Sequence, residues 1–246
     1  MKNKLSKKKI ILISILTPVT ALLLAFIILC FTTIGMYSPT FLRRVLTHWD
    51  SSVTDYKLFP ERLIIKSDQP YTYTKNIDSS LDNLAVRYSN KQKTLSEFVD
   101  GTDTTSFIIV KNDEVVYERY ANGYDKNSVN TSFSMAKSVV SLLIGKAIEN
   151  GFIKSVHEPI ENYITEFKGK EIGKTTIEEL LLMRSDISYS ENGFLWFGDD
   201  TLTYFHSDLR ELALTHTKLT NKYHGNFHYN NYHPLLLGII LERSTE

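Results

Sequence analysis

Ser134 and Lys137 stand three residues apart in the run Thr131 to Leu143, T-S-F-S-M-A-K-S-V-V-S-L-L. If a helix begins near Ser134, the lysine nitrogen lies one turn above the hydroxyl on the same face, and such a pair can activate a serine as a nucleophile. The free N–H groups at a helix N-terminus also favour negative charge, as the oxyanion of acyl transfer requires. Tyr229 and Asn231, in the triplet Tyr229-Asn230-Asn231, supply a second set of groups. A phenol ordinarily titrates near about 10, and a neighbouring lysine ammonium favours the phenolate. Conversely, a buried lysine crowded by positive charge becomes neutral and can itself take the serine proton. Ser134, Lys137 and Tyr229 therefore form a closed proton-transfer set under either assignment, with Asn231 as a hydrogen-bonding amide. The short patterns are unspecific by themselves: Ser6 to Lys9 also matches S-x-x-K, and Tyr88-Ser-Asn90 and Tyr120-Ala-Asn122 also match Y-x-N.

The elements that must position these groups are legible in part. Val139, Val140, Leu142, Leu143, Ile144, Ala147 and Ile148 have the spacing of a core helix, and Asn150-Gly151 supplies its stop. Ser106 to Val110 and Glu114 to Tyr120 read as a β-hairpin turning at Lys111-Asn112-Asp113. Ser79 to Val86 reads as a short helix. Thr176 to Met183 is a helix opened by a Thr and Glu capping pair, Leu202 to Leu214 another, and Leu235 to Arg243 a last apolar one. Phe194, Trp196 and Phe197 either line a cleft or plug the core.

Residues 1–9 carry five lysines and no acid, leaving 23 basic against 28 acidic side chains in the remainder, so no basic face for nucleic acid is indicated. The following stretch, residues 10–37, has no charged residue and is long enough to cross about 30 Å of hydrocarbon. It reads as a single-pass anchor with a cytoplasmic N-terminus and an extracytoplasmic domain. A cleaved signal peptide is the alternative, but its apolar region would be shorter and would end in a small-x-small site. Residues 38–93 read as a stalk and N-terminal segment, and 94–246 as the folded domain. The one cysteine, Cys30, excludes an intrachain disulfide. Nothing in the sequence calls for a cofactor. His224, His228 and His233 are dense enough to raise metal binding, but helical ligand spacing fails around Gly225, and they read instead as satisfied surface histidines.

Three segments in order, 132–153 beginning S-F-S-M-A-K, 180–186 reading L-L-L-M-R-S-D, and 227–245 beginning F-H-Y-N-N-Y, resemble the penicillin-recognising serine hydrolases. Among these the sequence looks most like the class C β-lactamase-like branch and the 6-aminohexanoate-dimer hydrolases. The hairpin residues 107–120 also look like that family's first strand pair. The resemblance implies an α+β fold, a helical subdomain with an antiparallel sheet, here incomplete. It implies an acyl-enzyme hydrolase with Ser134 as nucleophile, Lys137 as activating base or proton shuttle, and Tyr229 relaying the proton to the leaving group. Asn231 would orient the acyl side chain, and the Ser134 N–H would give half the oxyanion hole. The substrate would be a small or peptide-like amide, β-lactam or ester. Asp186 stands where the family usually has Gly, His224 where it has Pro before Gly, and Asn230 where it commonly has Ser. No K-T-G or H-T-G triplet follows Tyr229, and the expectation is a truncated chain of weak or no activity, the alternative being an inactive anchored scaffold of the same fold.

Overall fold

In the computed structural model, residues 7–191 and 193–245 are described, with side chains from Leu16 onward. Residues 1–6 of the basic tail, and Asn192 in the aromatic loop, lie outside the described residues. In chain order the elements are α1 (Lys7–Met36), α2 (Pro39–His48), β1 (Thr74–Lys75), β2 (Ala85–Tyr88), β3 (Lys91–Thr94), α3 (Leu95–Asp100), β4 (Ser106–Lys111) and β5 (Glu114–Tyr120). Then follow α4 (Ala136–Glu149), α5 (Ile177–Leu181), α6 (Asp199–Phe205), α7 (Leu209–His216) and α8 (Tyr232–Thr245). They divide into two compact units: a helical one from residues 1–51 and 132–246, and one of strands with a single α-helix from 52–131.

In the strand unit, β4 and β5 pair antiparallel across Asn112 and Asp113, whose φ angles of 52° and 61° are those of a tight hairpin turn. The sheet order is β1-β5-β4, and β1 joins parallel to β5, so the sheet is mixed where an antiparallel one was expected. Residues 79–86 do not form one helix. A 3-10 turn covers Ser79–Asn83, and β2 then pairs with β3 through a second left-handed turn at Ser89 and Asn90. The competing signal was that turn pair, which closes a four-residue hairpin. Leu95, Val99 and Tyr117 form this unit's core.

The helical unit is built around α8, which packs on α4, α5 and α7 and buries Tyr232, Leu236 and Ile240. The caps explain several boundaries. Thr176 and Glu179 exchange hydrogen bonds as a capping box at α5. The expected helix over 202–214 is two: α6 ends at Phe205, and Asp208 caps α7 by accepting the Glu211 N–H at 2.8 Å. The expected stalk also contains α2, capped by Ser38 with Pro39 in its first turn, which buries Phe41 and Val45. One apolar helix, Leu16–Met36, has the length and mean hydropathy, 2.4, of a membrane span. Leu22 and Ile28 on it are exposed, whereas Leu29, Cys30 and Tyr37 pack against the core and Thr33 is fully buried.

Candidate active site

Ser134 sits in a 3-10 turn, Phe133–Met135, that leads into α4, which begins at Ala136, two residues beyond the serine. Phe133, immediately before it, has φ 46°. For a bulky aromatic residue that left-handed conformation costs roughly 1–3 kcal/mol and persists only where the surroundings hold it. The Phe133 ring stacks on Tyr204 of α6 at 6.5 Å between centroids. Lys137, one turn on, donates from Nζ to Ser134 Oγ at 2.9 Å. Tyr229, 95 residues away in sequence, donates from its hydroxyl to the same oxygen at 2.6 Å. The Lys137 Nζ also lies 4.9 Å from the centre of the Tyr229 ring.

Burial alone would push the Tyr229 phenol up, but the hydrogen bonds of Lys137 and Ser134 and the lysine charge outweigh it, so it lies below its ordinary value. Glu191 opposes that lowering from the neighbouring loop. Asn231 donates from Nδ2 to Tyr189 Oη at 2.7 Å and to Thr203 Oγ1 at 3.1 Å. Its Oδ1 is buried and has no hydrogen-bond partner among the described residues. Ser134, Lys137 and Asn231 line one cleft of about 390 Å³, whose other walls come from α4, α6, α7 and α8. All four residues singled out in sequence thus meet in one corner of the helical unit.

The sequence reading missed the groups that hold this corner. Asn230 is fully buried; its Oδ1 accepts the Tyr232 N–H at 2.8 Å and its Nδ2 donates to Ile187 O at 2.9 Å. It fixes the backbone between Tyr229 and Asn231, and an Asn two residues before a helix is a signal that could have found it. Asp186 and His224, the two turn departures, belong to one junction. Gly225, at φ 68°, donates its N–H toward Asp186 Oδ1 at 3.4 Å, and Arg184 Nε donates to Gly225 O at 2.8 Å. Of the three histidines expected at the surface, His224 is exposed and His228 stacks on Tyr223, but His233 is fully buried against Ser185, because the packing of α8 carries it into the core. Among the described residues no group of three His, Cys, Asp or Glu side chains is placed to hold a metal ion. Trp196 is a core plug, its indole N–H donating to Thr33 Oγ1 of α1 at 2.9 Å, while Phe194 is exposed.

Helices gathered around a serine, a lysine and a tyrosine in this order define a class, and the family model described as Beta-lactamase matches residues 92–246. The chain belongs to that β-lactamase family of hydrolases, with mixed helix and sheet content. A 6-aminohexanoate-dimer hydrolase of Paenarthrobacter ureafaciens is 28% identical over 112 residues, 46% of this chain and 27% of that one. A solved structure from Bacillus anthracis, assigned as a 6-aminohexanoate-dimer hydrolase, superposes with a TM-score of 0.61 at 25% identity, covering 72% of this chain and 50% of that one. The chain thus spans half or less of the length of these relatives.

Proposed function

We propose that this chain acts as a membrane-anchored serine hydrolase that passes through an acyl-enzyme on Ser134, with an amide, β-lactam or ester as substrate. The observation that carries the reading is the double hydrogen bond on Ser134 Oγ, from Lys137 and from Tyr229. In this reading the Tyr229 phenolate, favoured by Lys137, takes the serine proton as Oγ attacks the substrate carbonyl. The carbonyl oxygen becomes an oxyanion, with the Ser134 N–H as one donor to it. When the scissile bond breaks, Tyr229 passes the proton to the leaving nitrogen or oxygen. Water then adds to the acyl carbon with Tyr229 again as base, releasing the acid and restoring Ser134. Asn231 lies where it can orient the acyl part. The 6-aminohexanoate dimer for which the relatives are named falls within this substrate class.

Labelling with a fluorophosphonate, followed by mass spectrometry, tests the reading: an adduct on Ser134 that disappears in Ser134→Ala is the expected result. A folded chain that resists both fluorophosphonate and penicillin probes is instead a binding protein without turnover.

The anchor part of the proposal is supported by the burial of Thr33. Cleavage within or after α1 would strip the Trp196 indole N–H of its partner in a dry site, at a cost of about 1–3 kcal/mol. The expected intact mass of protein extracted from membranes therefore includes residues 10–37, and a mature chain starting beyond Tyr37 would refute anchoring by this helix.

A further inference from the structure

We infer that the helical unit lies directly against the outer leaflet of the bilayer, with Leu46, Trp49, Phe194 and Leu195 set in its interfacial layer, so that this patch has a lipid surface as its partner. The inference rests on the anchoring part of the reading above. From Ile10 to Met36, α1 contains no charged residue and is about 40 Å long, roughly 10 Å more than the hydrocarbon core. The positive-inside rule keeps the lysines of residues 2–9 at the cytoplasmic side, so the surplus falls at the other end, in about the last seven residues of α1. Absorbing it by tilt alone would take about 40°, the limit of the range such helices show. Those same turns are the ones the helical unit grips. Leu29, Cys30 and Tyr37 pack against its core, and the buried Thr33 receives the Trp196 indole N–H. Only Tyr37 separates Met36 from Ser38, which caps α2. The unit is therefore clasped to the surplus turns instead of hanging from a linker, and what it exposes at that level meets the headgroups.

What it exposes there is apolar. Trp49, 64% exposed, meets Trp196 edge-on at 6.4 Å between ring centroids. Phe194, 79% exposed, and the exposed Leu195 directly precede Trp196. Leu46, in the last turn of α2, is exposed too, and the exposed Arg43 three residues before it shares its face. Rings with a polar edge, such as Trp49, collect at headgroup level, and an arginine there can lay its stem on apolar surface while its head stays wet. Asp50 borders the patch, so the surface is recognised by its apolar and interfacial layers and not by headgroup charge. From the aromatic loop, α6 leads to Tyr204, which stacks on Phe133 beside Ser134, so about 8 Å of helix separates the loop from the turn of the nucleophile. The candidate active site is thereby held close to the membrane surface.

The test uses the full chain, carrying Cys30→Ala, in phosphatidylcholine nanodiscs at one copy per disc. Leu22→Cys, Leu46→Cys and Phe194→Cys, each at an exposed position, are labelled one at a time with a polarity-sensitive fluorophore, and an unfolding midpoint close to the parent's shows that each labelled chain is folded. Lipids bearing a nitroxide near the glycerol end or near the methyl end of the acyl chain then quench by depth. The Leu22 reporter is expected to lose most of its emission to the deep nitroxide. Those at Leu46 and Phe194 are expected to lose more to the shallow nitroxide than to the deep one, with emission shifted to the blue of the free dye in water. Water-like, unquenched emission at Leu46 and Phe194 with Leu22 still quenched overturns the docked unit and leaves the anchor standing. A blue shift at the patch that appears only at two copies per disc assigns it to a second copy of the chain and also overturns the lipid contact. A Leu22 reporter that neither nitroxide reaches overturns both.

Discussion

Among the described residues, two serines sit within a short hydrogen bond of a basic side chain. Ser134 is exposed, and its Oγ receives Lys137 and Tyr229 together. Ser185 is 3% exposed and lies 2.6 Å from His233 Nε2, itself fully buried. The Ser185 oxygen also accepts the Ile187 N–H at 3.2 Å, which leaves its own proton for the imidazole. By pair geometry alone, Ser185 and His233 look more like an activated nucleophile than Ser134 does. What separates them is access and charge. Burial lowers the His233 imidazole to about 4, with His228 adding to the effect, so it is a neutral acceptor in a dry core. At Ser134 a cationic side chain shares the oxygen with a phenol whose ionisation it favours, beside an open cleft. A hydrogen bond between serine and base is therefore a packing solution at one place and a candidate for chemistry at the other.

The largest expected effect follows from exchanging the first serine. Ser134→Ala should lower ester or amide turnover by about 10⁴-fold or more while leaving the thermal unfolding midpoint close to that of the parent chain, since an exposed hydroxyl is removed. Retained turnover in that variant would transfer the chemistry to another nucleophile and dissolve the contrast. Tyr229→Phe is expected to cost about 10²–10⁴ in kcat/KM. It also removes a pH limb. In the proposed mechanism the base is the phenolate, held below its ordinary value, so activity in the parent should rise with pH through that lowered value, and the Phe variant should lose this rise. An unchanged profile in Tyr229→Phe would assign the proton transfer to Lys137.

The buried pair predicts a different pH dependence, read in stability rather than rate. His233 has a folded pKa of about 4 against an ordinary 6.5, so between those values the unfolded chain binds a proton that the folded chain refuses. Stability from this group is complete above about pH 6.5, declines as pH falls toward about 4, and is flat below it. Between pH 7 and 5 the loss is about 2 kcal/mol. Thermal unfolding of the parent and of His233→Gln at both pH values should show that decrement in the parent and a smaller one in the variant.

The sequence made the corner of Ser134, Lys137 and Tyr229 legible because helix spacing fixes the first two and the family-like order of motifs fixes the third. Asn231 followed from its place beside Tyr229. Ser185 and His233 were not legible as a pair, since 48 residues separate them and only the packing of α8 behind residues 183–187 brings them together. α2 was obscured by the polar and aromatic residues around it. Its cap at Ser38 and the buried Phe41 and Val45 are local signals, but the face they cover is supplied by distant helices. The split between α6 and α7 was readable in Asp208 and Glu211, an N-cap pattern hidden inside an otherwise continuous apolar period. The parallel β1 is two residues long, too short for any period to announce it.

The smallest effect tests the comparison from its quiet side. Ser185→Ala leaves the His233 Nε2 and the Ile187 N–H buried without their partner, and the cost of such stranded groups is about 1–3 kcal/mol. The loop from Ser185 to Ile187 carries the carbonyl that receives Asn230, so any loosening should reach the Tyr229 corner only through the folded fraction. The expected outcome is a lower unfolding midpoint with an unaltered fluorophosphonate labelling rate per folded molecule. The stability loss should also shrink at pH 5, where His233 is closer to taking a proton and the neutral acceptor that Ser185 serves is less populated. A labelling rate that falls in proportion to the removal of Ser185, rather than to the loss of folded protein, would mean that the buried serine takes part in the chemistry after all.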